Sequence, residues 1–407
     1  MKTATLRAER LRSHRLTAPT RTVTDAAHHM LAVQSQDFTA GRWALAVRTR
    51  GDVRLRDVDR AFDRGDLVRA WTMRGTLHTV PARDLGWMLE VTAGRQRQQA
   101  ASRHRDLGID DDMIAAAVRA LTPQLRDGGR TRAEVFEILQ SVGIDPTGQR
   151  GIHLLFTLTI DGLICQGPVV ARAGITREQR FVLVDEHIRE HARPDDPLAE
   201  LFVRYIDGHG PAGVADFAWW SGLTLGQSRE AVVHAAARVT EVEDGLFVAR
   251  AHPRRPAGAS SVLALGAFDE YYISYADRTA VAAPEHLSAI GPGKNGMVRA
   301  TLVEDGRVIG CWTHATAARD TPPELFDTPA DAAAVEAALT RFSVFLGSDA
   351  VRGTPCSQLL ASAGATSGEA ATKAAISGAS AIRMSLASVS ATVARSPSPA
   401  NGRTSRP

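Results

Sequence analysis

One order of structural signals, helices followed by a two-stranded hairpin, recurs three times along this chain, and a repeated order of that kind specifies a tandem architecture. In the first copy, apolar residues recur at helical spacing from Thr24 to Val33, behind a Thr22 or Thr24 cap, and the pattern stops at Gln34-Ser35-Gln36-Asp37. Helical patterning resumes over Phe38 to Val47 and Val53 to Phe62, and Leu67 to Val80 contains the β-like run WTMRGTLHTVP. In the second copy Met113 to Leu125 is helical, and Thr131-Arg132-Ala133-Glu134 has capping-box form before VFEILQ. Gly143 breaks that pattern, Gly151 to Asp161 makes a further helix, and GLICQG and RFVLVD supply the wing. The third copy runs LAELFVRYIDGHG, Gly213 to Trp220, a turn at Gly222, SREAVVHAAARV and the hairpin TEVEDGLFVAR. The expected fold is therefore α+β, with three tandem winged helix-turn-helix domains at 1–110, 111–195 and 196–255.

Residues 256–347 change character. VLALGAF, YYISYA and MVRATLVEDGRVIGCWTH read as antiparallel strands of a small β-domain, with a turn at Asp305-Gly306 and a closing helix from Ala330 to Phe345. The segment 348–407 is rich in Ala, Ser, Thr and Gly and ends SPSPANGRTSRP, a composition too poor in apolar surface to order itself. No window reaches the eighteen apolar residues of a membrane span, so a cytoplasmic, nucleoid-associated protein is expected. Cys165, Cys311 and Cys356 lack pairing or metal-ligand spacing and are expected as free thiols. The net charge of +3 is unevenly spread: residues 1–105 hold 20 Lys or Arg against 10 Asp or Glu, and the remainder 28 against 35. An amino-terminal excess of +10 suits a polyanionic partner.

Several strings resemble a known family: AVQSQD, RAWTMRGTLHTVPARDL, TGQRGIHLLFTLTIDGLICQGP, GPAGVADFAWWSGL, FDEYYISYADR and NGMVRATLVEDGRVIGCW. Their order over roughly residues 5–347 is similar to the winged-helix DNA glycosylase family of bacterial interstrand-crosslink (azinomycin-resistance) glycosylases. The resemblance implies three tandem winged helices, a carboxy-terminal β-domain and a concave face that binds double-stranded DNA. Family members usually end shortly after a segment like FSVFLG, so the tail beyond it departs from the pattern. The family's catalytic signature, glutamine, one usually apolar residue, then glutamine (aspartate last in related members), falls on Gln34-Ser35-Gln36. The resemblance thus assigns catalysis to Gln34 and Gln36.

Neutral amides suit one class of substrate. Breaking a glycosidic bond to a neutral purine asks for protonation of the leaving group and a base for water. An N7- or N3-alkylated purine is already cationic, so an enzyme has chiefly to place water beneath C1′ and stabilise an oxocarbenium-like sugar. A glutamine carbonyl accepts from water while its nitrogen donates to a phosphate or sugar oxygen, and no cofactor or metal is required. Two residues apart, the side chains share one side of an extended segment but lie about 200° apart on a helix, so a non-helical segment is expected. Asp37 is a candidate for holding water, with helix capping its stronger expectation.

A second cluster comprises Arg69, Trp71, Arg74, Thr76 and His78: on a strand, Arg74, Thr76 and His78 share a face that suits a phosphate, while Trp71 in the core and His78 bonded to a carbonyl is an equal alternative. Further DNA contacts are expected from Arg95 and Arg97 in a basic run with Arg103, His104 and Arg105; from Gln149, Arg150 and His153 at the start of a second recognition helix; and from Lys294. Asp269, Glu270 and Arg278 read as a structural ion-pair set. Only Lys2, Lys294 and Lys373 are lysines, so a Schiff-base lyase lacks its amine, and a monomeric, monofunctional glycosylase of alkylated purines is expected. The competing reading is a non-enzymatic winged-helix transcriptional regulator; the Gln pair and the lack of a ligand-sensing or coiled-coil segment argue against it. A metal hydrolase is disfavoured because the histidines lack ligand spacing.

Overall fold

The computed structural model describes residues 1–347 apart from 173, 244, 251–261, 295 and 328–330, so the tail beyond 347, with Cys356 and Lys373, lies outside the described residues. Helix α1 (Thr3–Ser13) leads into the first unit: α2 (Val23–Met30), β1 (Val33–Gln34), α3 (Phe38–Val47), α4 (Leu55–Asp63), β2 (Leu67–Met73) and β3 (Thr76–Pro81). Thr22 caps α2 through a reciprocal box with Asp25, and Leu31, at φ 61°, ends it two residues before β1. Helix α5 (Leu85–Asp106) then joins the second unit: α6 (Asp111–Leu125), α7 (Arg132–Ser141), α8 (Arg150–Ile160), β4 (Ile164–Val169), β5 (Gln179–Leu183) and the short α9 (Val184–His187). The Thr131–Glu134 box caps α7 as its sequence form requires. The third unit holds α10 (Pro197–His209), α11 (Val214–Ser221), α12 (Leu225–Ala235), β6 (Val239–Glu243) and β7 (Leu246–Ala249), with Gly222 left-handed after α11.

The two amino-terminal hairpins are not separate wings. They join into one five-stranded antiparallel sheet ordered β1-β3-β2-β4-β5, with Arg69 opposite Gln166 where β2 meets β4. Joining them covers two edges that would otherwise present unpaired N–H and C=O groups. Among the described residues only β6 and β7 stand as an isolated pair. Helix α8 also departs from expectation: residues 153–160 are all buried, packed between α5, α6 and the sheet, so α8 has no face free to lie in a groove. Gln149 and Arg150 at its start are half-buried.

The remaining elements are β8 (Leu263–Leu265), α13 (Glu270–Ile273), α14 (Leu287–Ile290), β9 (Ala300–Glu304), β10 (Arg307–Trp312), α15 (His314–Ala317), β11 (Glu324–Leu325) and α16 (Ala332–Leu346). They form an antiparallel sheet ordered β11-β10-β9-β8, whose β9–β10 hairpin turns at Asp305 and Gly306, both at positive φ. YYISYA is not a strand. Its first residues fold as the helical turn α13, capped by Asp269 accepting from the Tyr271 N–H, so tertiary packing overrides the aromatic β-preference. This sheet shares its core with the first unit: Trp43 packs on Phe342 and Phe345, and its Nε1 donates to the Ala264 carbonyl. Cys165 and Cys311 are free and buried, and burial pushes their thiols up to about 12 and about 11. Among the described residues no helix is long and apolar enough to cross a membrane.

Candidate active site

Gln34 ends β1, and Ser35 and Gln36 continue as non-helical backbone before Asp37 caps α3 by accepting from the N–H groups of Thr39 and Ala40. The alternation expected of an extended segment is present. Ser35 turns inward, fully buried, its hydroxyl 2.8 Å from Thr79 Oγ1 and donating to the Val33 carbonyl. A methyl group on Gly41 would overlap Ser35 Oγ, so α3 approaches the segment as closely as backbone allows. The glutamines lie on the other side: Gln34 is 8% exposed and Gln36 half-buried.

Each amide is held by its oxygen. Arg74 Nη2 donates to Gln34 Oε1 at 3.2 Å, and the Leu77 N–H donates to Gln36 Oε1 at 3.3 Å. Within the described residues neither Gln Nε2 donates to a protein acceptor, so both NH2 groups remain available to a ligand. Gln34 sits directly across from His78 in the β1–β3 pairing. Arg74 Nη2 also lies 3.1 Å from His78 Nε2, and because a guanidinium only donates, Nε2 is the acceptor and the proton sits on Nδ1, which donates to Thr72 Oγ1 at 3.0 Å. Burial, reinforced by the Arg74 charge, pulls the His78 pKa down to about 3. The imidazole is neutral at neutral pH, with both ring nitrogens hydrogen-bonded.

Arg69 clamps the same segment from below, donating to the carbonyls of Ser35 at 2.8 Å and Gln36 at 3.4 Å, and to Gln166 Oε1 at 2.7 Å. Burial pulls its pKa down to about 9, so it stays cationic. Thr76 donates to the Met73 carbonyl and fixes the Arg74-Gly75 turn, both residues at positive φ. Thus Arg69, Arg74, Thr76 and His78 gather around the Gln pair, but not as an open phosphate-binding face: their polar groups hold the segment and each other. Trp71 is core, edge-on to Phe156.

The other expected contacts lie elsewhere. Arg97 is exposed on α5 and donates to Asp161 Oδ1 at 3.0 Å; Arg95, on the same helix, is half-buried with its Nε unpaired. Arg103 donates to Gln149 Oε1 at 3.0 Å, and Arg150 to the carbonyls of Leu107 and Asp145, so Gln149 and Arg150 tie α8 to the end of α5. His153 is buried against His104 and Phe156. Lys294 is exposed in the loop after α14. The expected ion-pair set separates: Asp269 pairs with Arg48 through both oxygens, at 2.8 and 2.9 Å, while Arg278 lies over the Trp219 ring. Glu270 instead reaches the site, its Oε1 accepting the Gln34 backbone N–H at 2.7 Å. No local signal marks Glu270, since its partner is 236 residues away.

The amide pair is thus extended, braced by arginines and set in a frame of mixed helix and antiparallel sheet. A sequence model described as "DNA glycosylase AlkZ-like" matches residues 27–345, and the chain belongs to that DNA glycosylase family. One relative, the Interstrand DNA cross-link repair glycosylase of Streptomyces sahachiroi, is 25% identical over 303 residues, covering 71% of this chain and 81% of that protein. The solved structure of Streptomyces sahachiroi DNA glycosylase AlkZ shares the fold with a TM-score of 0.67 at 22% identity, covering 84% of this chain and 96% of that one.

Proposed function

We propose that this chain is a monofunctional glycosylase that hydrolyses the N-glycosidic bond of cationic N-alkylated purines in double-stranded DNA, crosslinked N7-guanines included, with Gln34 and Gln36 as its catalytic pair. The observation that carries this reading is the orientation of the amides: both oxygens are held by protein donors and both NH2 groups are open to substrate. Gln34 Nε2 then donates to a sugar or phosphate oxygen, and Gln36 donates likewise while the second lone pair of its Oε1 accepts from the attacking water. His78 is locked neutral and Glu270 is sealed behind the strand, so neither protonates a leaving group. A purine that already carries positive charge needs no such acid. The name of the Streptomyces sahachiroi relative supports extending the substrate to crosslinks.

The three helix-and-hairpin units serve, in this reading, as winged helices, with the domain divisions at 110, 195 and 255 and a β-domain to 347. The α5 arginines, Gln149, Arg150 and Lys294 contact backbone phosphates, and the protein works as a monomer on nucleoid DNA. The test is incubation with duplex DNA carrying a single N7-methylguanine. Alkali-labile abasic sites should form, with no strand cleavage before alkali and no borohydride-trapped adduct. Binding without release of any alkylated base would instead support the regulator.

A further inference from the structure

The main chain that carries Gln34 is anchored from the far end of the sequence. Glu270 opens α13, is fully buried, and divides its two oxygens: Oε1 accepts the Gln34 N–H at 2.7 Å, while Oε2 accepts from Trp220 Nε1 at 3.1 Å and from the Ser274 hydroxyl. Burial alone pushes such a carboxyl up, but neighbouring His209 and the Arg74 charge outweigh it and hold the pKa at about 2. A buried anion persists only where donors satisfy it, and Trp220 and Ser274 already fasten Oε2 to the third unit and to α13 itself. Oε1 is what reaches the strand. The same charge favours cationic Arg74, whose Nη2 sets the rotation of the Gln34 amide by donating to its oxygen. A rotated amide would present an acceptor where the site offers a donor.

We propose that Glu270 is a positioning residue for Gln34, fixing through its Oε1 the strand backbone that carries the amide. The inference rests on the reading of Gln34 as one of the catalytic pair. Its test uses the full chain: single-turnover excision of N7-methylguanine from a duplex, with duplex affinity and thermal unfolding measured alongside, for wild type, E270Q, D269N, Q34A and the double variant E270Q/Q34A. E270Q should slow excision by about tenfold or more while affinity stays within about threefold, because a misplaced reacting group costs rate rather than binding. D269N breaks the adjacent buried pair with Arg48, so it should lower Tm yet leave the rate within about threefold. In the Q34A background E270Q should have no further effect on rate, since nothing is left to position.

Wild-type excision by E270Q, an equal rate loss in D269N, or additive losses in the double variant would each overturn the proposal. If E270Q does not fold, E270D decides in its place: it keeps the charge and shortens the reach to Gln34. Failure of wild type to excise would overturn the glycosylase reading itself, an outcome distinct from excision that ignores Glu270.

Discussion

Gln36 is held by partners that do not depend on its amide nitrogen: its carbonyl group accepts from Arg69, and its side-chain oxygen from the Leu77 N–H. Truncating the side chain leaves the Arg69 clamp and the Asp37 cap in place, so Gln36→Ala should fold and bind duplex much as wild type does. Excision should fall roughly a hundredfold to a thousandfold, the effect of removing one preorganised polar contact at developing charge, on the order of 2.7–4 kcal/mol. Gln36→Asp should retain activity, because the Leu77 N–H serves a carboxylate as well as an amide and a negative charge favours an oxocarbenium-like sugar. Single-turnover excision beside a binding titration checks both variants, and an unimpaired Gln36→Ala would remove Gln36 from the mechanism. At this scale the sequence singled out the Gln34–Gln36 segment, while the partners that hold it were hidden. Arg74 and His78 look like phosphate ligands on a strand diagram, and only the Gln34–His78 register turns them toward the amide.

Among the elements, α8 departs from the groove-facing role its sequence suggested, while α5 keeps part of its basic run, Arg97, Arg103 and Arg105, at the surface. Helix α8, with Arg150 and His153 at its start, has the pattern of a recognition helix, yet it is enclosed because the two hairpins merge and trap it beneath their sheet. The merger rests on the pairing of Arg69 with Gln166, 97 residues apart, and nothing in either strand announces the other. By contrast Phe38–Val47 begins and ends where its apolar period and Asp37 cap put it, because those signals are local. With α8 enclosed, the cations of α5, half-buried Arg95 and exposed Arg97 among them, become the stronger candidates for backbone contact. Replacing Arg95 and Arg97 together with alanine should weaken duplex binding regardless of sequence and make the dependence of log K on log salt shallower by up to about 0.9 per lost phosphate contact. Affinity titrations from low to moderate salt test this, and an unchanged slope would assign DNA binding to another face. Arg97 should contribute less than Arg95, since Asp161 already neutralises part of its charge.

Across the whole molecule, the fold keeps several imidazoles uncharged where their elements meet. His14 joins α1 to the core between Arg48, Arg10, His209 and Tyr275, while His78 faces Arg74, Glu270 and Thr72 at the site. Both are fully buried, and burial first, then neighbouring positive charge, depresses their pKa values, to about 3 for His78 and well below the ordinary value for His14. When the chain unfolds they return to about 6.5. Between the folded and unfolded values the unfolded chain binds more protons, so stability is complete above pH 6.5 and declines as pH falls below it. At pH 5 the His78 imidazole costs about 2 kcal/mol, and His14 adds a loss in the same sense. Glu270, held at about 2, adds a loss only below its unfolded value near 4.5, outside this interval. Asp59, pushed up by burial, works in the opposite sense, gaining stability as it protonates, but burial also lowers His29 to about 3 and His153 to about 4, so the depressed imidazoles outnumber it. Thermal unfolding at pH 7 and pH 5 should therefore show Tm several degrees lower at pH 5, recovering on return to neutral pH. Excision per folded molecule should change little over the same interval, because neither His78 nor Glu270 titrates there. A Tm unchanged between the two pH values would mean that these histidines take up protons without cost to the fold, and the neutral His78 beside Gln34 would have to be abandoned with them.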